Sequence, residues 1–139
     1  MMKNNFFIAA LLMFSPVLLS AQQKDYKVVF DLTSKDTLDQ RAVIRWLNEI
    51  AIPHPDGKFE VVMYGQGFNL VLKDKSVYRD AVTKLADNKN VSFIVCAVAM
   101  KNNHVEKEDL LPFVQIVPDG IYEIISKQKE DWGYIKVVH

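Results

Sequence analysis

Apolar residues fall along this chain in two patterns, short unbroken runs and longer stretches with helical spacing. Residues 26–32 hold Val28, Val29 and Phe30 in succession. A near-continuous apolar run is what a strand buried on both sheet faces requires. Thr33-Ser34-Lys35-Asp36 follows as a loop and helix start. From Thr37 the apolar positions are Leu38, Ala42, Trp46, Leu47 and Ile50, the spacing of one helical face. Pro53-His54-Pro55-Asp56-Gly57 punctuates its end. Residues 59–64 form a second strand, broken by Gly65-Gln66-Gly67, and Val77, Ala81 and Leu85 mark a helix over 77–87. Residues 91–97 are again nearly all apolar and read as a third strand. A short helix over 98–103 and a helical turn at 106–111 lead to a strand at 114–117, closed by Pro118-Asp119-Gly120. Ile121, Ile124 and Ile125 suggest one face of a last helix, before a final strand at 134–138.

Five strands alternating with helices imply parallel pairing with helices over the sheet. The fold class expected is therefore α/β, a three-layer α/β/α sandwich on a mostly parallel five-stranded sheet. The strand order stays open.

The first residues follow a different logic. Lys3 precedes an apolar stretch over 6–19, and Ser20-Ala21 supplies small residues before Gln22-Gln23-Lys24. That is the order of a secretory signal peptide, and the stretch is short against the roughly 20 residues of a membrane-spanning helix. Residues 1–21 are thus expected to be a signal peptide and 22–139 a single α/β domain, exported to a periplasmic or extracellular location without a membrane association after cleavage. Basic and acidic residues balance at 17 each, so no cationic excess exists to neutralise phosphates, and nucleic acid is not an expected partner. The lone cysteine, Cys96, cannot form an internal disulfide.

Ligands of open parallel sheets gather at the carboxyl ends of strands. Those ends carry Thr33 to Asp36 in the first loop, then Tyr64, Gly65, Gln66, Gly67 and Asn69 after the second strand. Cys96 ends the third strand, followed by His104, and Asp119 follows the fourth. A thiolate beside a helix N-terminus is stabilised by unpaired N–H groups and is the form that attacks sulfur. The apolar neighbours Val95, Ala97, Val98 and Ala99 argue for the other reading of Cys96, a packed and inert sulfur. His104 has two readings, a base paired with Cys96 or a merely solvated loop histidine. His54, His104 and His139 lack metal-ligand spacing, and no metal or cofactor is expected. Gly65-Gln66-Gly67 lacks the third glycine of a dinucleotide loop. The acids of Glu106-Lys107-Glu108-Asp109 read as a helix N-terminus, and Trp46 and Trp132 as core or subunit contacts.

Several pieces in order carry a family resemblance. They are Lys27-Val28-Val29-Phe30, Tyr64-Gly65-Gln66-Gly67 with Leu70, and Cys96 at a strand end. Glu108-Asp109-Leu110-Leu111-Pro112, Val117-Pro118-Asp119-Gly120 with Glu123-Ile124, and Gln128 with Trp132 and Tyr134-Ile135-Lys136 complete the set. Together the chain resembles the DsrE/DsrF-like family, which includes TusD-type sulfur-relay proteins. The resemblance implies a DsrE/YchN-like fold, homo-oligomers (trimer or hexamer), and a cysteine that takes persulfide sulfur from a donor protein and passes it to an acceptor. Only Cys96 can hold that role, with the glycine loop shaping the pocket beside it. Val98-Ala99 replace the polar Asn-Thr usual in exported relatives, and Asp131 stands where glycine is usual before the tryptophan. The alternative is a non-catalytic oligomeric module that binds a small ligand at the same strand ends, with Cys96 as packing.

Overall fold

The computed structural model describes residues 26–138; the expected signal peptide lies outside them. The elements in chain order are β1 (Lys27–Leu32), α1 (Thr37–Ala51), β2 (Lys58–Met63), a 3-10 turn (Gly67–Val71) and α2 (Arg79–Ala86). Then come β3 (Val91–Cys96), α3 (Ala97–Asn102), a second 3-10 turn (Lys107–Asp109), β4 (Gln115–Val117), α4 (Gly120–Lys129) and β5 (Gly133–Lys136). The sheet order is β4-β3-β2-β1-β5 and every adjacent pair is parallel.

This order explains which helix covers which face. β1, β2, β3 and β4 step across the sheet in one direction, and the chain then returns past all of them to place β5 beside β1. Right-handed crossovers in opposite directions put their helices on opposite faces. The large core accordingly joins Phe30, Leu32, Val61, Met63, Phe93 and Val95 to Val43, Leu47, Val82 and Leu85 of α1 and α2. The second core is small, Val29, Val62 and Ile94 under Ile124 of α4. Alternate residues of each strand thus meet two unlike environments.

Local signals set the ends of the elements. Asp36 caps α1 by accepting from the Leu38 N–H at 2.8 Å. Asp119 caps α4 the same way, accepting from Ile121 at 2.8 Å and Tyr122 at 3.2 Å. Glu106 and Asp109 form a reciprocal capping box on the second 3-10 turn. Trp46 stacks on Phe30 at 6.3 Å between centroids, half-buried at the rim of the main core.

Some expectations are corrected. Ile121 and Ile125 do not share a buried face with Ile124: they are exposed, because a lone helix over a sheet touches it along one narrow stripe. β5 is exposed along its whole length and β4 over most of its own, since no helix covers these two edge strands completely. The helix expected over 77–87 is shorter, starting only at Arg79. The 3-10 turn after Gly67 was not foreseen; it is set by the approach of Gly67 to β1, where a Cβ would lie 2.0 Å from the Leu32 carbonyl oxygen.

Candidate functional site at the carboxyl edge

The carboxyl ends of the five strands carry two polar features joined by one tyrosine. At β3, Cys96 faces Val117 of β4 across the ladder. It forms the N-cap of α3 with extended backbone and no side-chain capping bond. The residue is buried, 5 % exposed, and its thiol is free. α3 runs for only six residues. The longer helix α4 begins directly against the cysteine instead: a Cβ on Gly120 would sit 3.0 Å from the Cys96 Cβ and 3.6 Å from its Sγ. The same Cβ would meet Val62 at 3.3 Å. Glycine at this position therefore lets the start of α4 pack closely against the cysteine, where a larger residue would crowd it.

The other feature lies where the strand order reverses, between β1 and β5. Ligands of open α/β sheets bind at such a switch point. Asp31 and Lys136 are ladder partners there. Asp31 is buried and accepts from the Tyr134 hydroxyl at 2.6 Å, the Tyr64 hydroxyl at 3.2 Å and Lys136 Nζ at 3.2 Å on both oxygens. Lys136 also donates to Thr33 Oγ1 at 3.0 Å, and its ammonium stands 5.7 Å from the Tyr64 ring centroid. The hydrogen bond to Asp31, then burial and the nearby carboxylate charge, push the Tyr134 hydroxyl up to about 12. Tyr64 is raised as well, by burial first, then by Asp31 and by proximity to Cys96. Tyr64 is thus the side chain within electrostatic reach of both features, and as a neutral phenol it donates only to Asp31.

Gly65, Gln66 and Gly67 shape the turn behind Tyr64. Gly65 has φ +61, which favours glycine, and the Gln66 N–H donates to the Thr33 carbonyl at 3.1 Å. These bonds tie the β2 turn to the end of β1. Asn69 lies within the 3-10 turn, its N–H donating to the Gln66 carbonyl at 3.2 Å. His104 is not brought to Cys96. It is exposed, with φ 54, and lines a separate recess of about 220 Å³ with Leu72, Asp74, Lys75 and Asp109. Its neighbour Asn103 turns back to α3, donating to the Ala99 carbonyl at 2.8 Å.

Sequence reasoning passed over Asp31, Tyr134 and Lys136 as site residues. A signal was present, an acid inside the otherwise apolar run Val29-Phe30-Asp31-Leu32. Its partners come from the far end of the chain, and nothing short of strand order brings them together.

Comparison with known proteins fits this architecture. A search of curated proteins finds no match. Among solved structures, a protein of unknown function from Methanobacterium thermoautotrophicum, MTH1491, superposes with a TM-score of 0.75 at 29% sequence identity. The alignment covers 81% of this chain and 99% of that one. The family model described as DsrE/DsrF-like matches residues 20–137, nearly the whole of the described domain. With the parallel sheet, the cysteine at the end of β3 and the glycine that opens α4 above it, the chain belongs to the DsrE/DsrF-like family.

Proposed function

We propose that this protein is a sulfur carrier that holds a persulfide on Cys96. Family membership supports a sulfur-relay-type role and nothing finer. The observation that carries the finer reading is the contact between Cys96 and Gly120. The sulfur lies at the carboxyl edge against the first turn of α4, where the helix N-terminus favours an anionic sulfur. In the step proposed, the Cys96 thiolate attacks the outer sulfur of a donor persulfide, R–S–SH. The new bond is Cys96 S–S, the donor S–S bond breaks, and the donor leaves as a thiolate that takes up a proton from water. An acceptor thiolate reverses the process.

The test is incubation of the reduced protein with a low-molecular-weight persulfide and mass analysis of Cys96. A gain of one sulfur atom, absent in Cys96→Ser and removed by an acceptor thiol, is the expected result. No gain in a folded wild-type protein contradicts it.

One observation favours a second reading. Cys96 is buried and makes no capping hydrogen bond, which suits a packing residue in a non-catalytic ligand-binding module. In that case Cys96→Ala changes stability and leaves ligand binding at Tyr64 and Lys136 intact.

Assembly and export are part of the same proposal. Ile121, Tyr122 and Ile125 form an exposed apolar stripe on α4, and Tyr134 and Ile135 lie exposed on the edge strand β5. Exposed apolar residues of this kind support an interface, and a second copy of the chain is the partner proposed, in a trimer or hexamer. Sedimentation of Tyr122→Lys/Ile125→Glu is expected to give monomers. Export is checked by the N-terminal residue of the secreted chain, expected to be Gln22.

A further inference from the structure

The amino edge of the sheet, opposite Cys96, carries a second cavity of about 390 Å³. Its lining is unusually rich in charge for a chain with no net charge overall. Lys27 and Lys58 begin β1 and β2, Lys89 comes from the turn before β3, and Lys127 from α4; only Glu60 and Glu130 oppose them. Ser92 and Gln115 add polar groups to the wall. We propose that this cavity is a binding site for a small multivalent oxyanion, a phosphate ester or a polycarboxylate, held by Lys58, Lys89 and Lys127.

A second observation sets how the site responds to pH. Glu60 lies in the wall of the cavity with its side chain only 7% exposed. One oxygen, Oε2, pairs with Lys127 at 3.2 Å; the other, Oε1, is buried with no hydrogen-bond partner among the described residues. Lys127 is itself shared, with Glu123 at 3.3 Å and with the Trp132 ring at 4.8 Å. A buried carboxylate with one empty oxygen is costly as an anion and is relieved by a proton. Burial accordingly raises Glu60 to about 7, against the opposing pull of Lys127 and with the help of Glu123. The groups facing it are Lys127, Glu123 and Glu130 from α4, with Lys27, Lys58 and Lys89 around the mouth.

These facts combine into one behaviour. With Glu60 protonated, the lysines face the cavity against one fewer negative charge. An anion entering there favours the protonated form further, so binding takes up a proton. Affinity is then expected to fall by about tenfold between pH 6 and pH 8.

The experiment is titration calorimetry of the full domain at constant ionic strength. Sulfate serves as the probe for pH dependence because its charge is fixed over this range, and pyrophosphate and citrate at pH 7 distinguish the phosphate source from the carboxylate source. The expected result is saturable binding, weakened at least tenfold in Lys58→Ala/Lys89→Ala and unchanged in Cys96→Ser. Glu60→Gln is expected to bind as the wild type does at low pH and to lose the pH dependence. Both surface lysines are exposed, so the double variant is expected to fold, and circular dichroism checks it. The proposal is overturned if none of the three anions saturates by about 10 mM. It is equally overturned if the double variant binds as wild type does, or if affinity is flat from pH 6 to 8.

Discussion

Two acids, Asp31 on β1 and Glu60 on β2, lie buried on the α4 side of the sheet, and they are treated in opposite ways. Asp31 receives two phenols and an ammonium, with both oxygens occupied. Glu60 receives one lysine, shared with a second carboxylate, and leaves an oxygen empty. The difference follows from position. Asp31 sits at the carboxyl edge, where β5 returns alongside β1 and brings Tyr134 and Lys136 into register. Glu60 sits nearer the amino edge, beneath the last turns of α4, where Lys127 is its one ion-pair partner among the described residues. A satisfied acid fixes a site; an unsatisfied one holds a proton near neutrality.

The largest effect is expected from removing the satisfied acid. Asp31→Ala strands Tyr64, Tyr134 and Lys136 at once and is expected to cost about 3 kcal/mol in chemical denaturation, Lys136 escaping partly to solvent. Asp31→Asn, which keeps the shape, is expected to lose about half of that. In Asp31→Ala the Tyr134 phenol is expected to titrate lower: its hydrogen bond to Asp31, with burial and the nearby carboxylate charge, pushes it up to about 12 in the intact cluster. Ultraviolet titration reads this directly.

Glu60 provides the converse. Its folded value, about 7, lies above the ordinary 4.5. Its stabilising contribution is therefore complete below about pH 4.5 and is lost as pH rises through about 7. After allowance for solvent screening of the pair, the loss is expected to be about 2 kcal/mol. Glu60→Gln is expected to flatten this part of the denaturation profile. A wild-type profile that rises with pH between 5 and 8, and keeps the same slope in Glu60→Gln, would falsify the account of this acid.

Gly120→Ala places a methyl 3.0 Å from the Cys96 Cβ and 3.3 Å from Val62. The overpacking is expected to cost about 1–2 kcal/mol and to slow sulfur loading. Equal loading rates in the two proteins would contradict approach to the sulfur past the start of α4.

The smallest effect is a gain. Asp131 has φ +64, a conformation that glycine adopts freely and an L side chain does not. Asp131→Gly is expected to stabilise by about 0.5 kcal/mol, measured by the midpoint of thermal unfolding.

The contrast between these regions also measures how far the sequence could be read. The parallel α/β fold was legible because Val28-Val29-Phe30 and the run from Val91 to Cys96 have no polar face to turn outward. Cys96, Tyr64 and the Gly65–Gly67 turn were legible because they sit at strand ends. The Asp31 cluster was not, since its partners lie 103 and 105 residues away along the chain. Helical periodicity misread Ile121 and Ile125, which have the spacing of a buried face but no second layer to bury them. His104 carried two readings, a base for Cys96 or a solvated loop residue; it lies exposed, in the recess with Asp74 and Lys75.

The central claim is that a buried sulfur can still be reached. Alkylation of native Cys96 by a small neutral reagent, set beside the global unfolding rate of the same sample, tests it most directly. The account predicts reaction much faster than unfolding and markedly slower in Gly120→Ala. Reaction only as fast as the whole domain unfolds would show the sulfur to be sealed in the core and would contradict a carrier role.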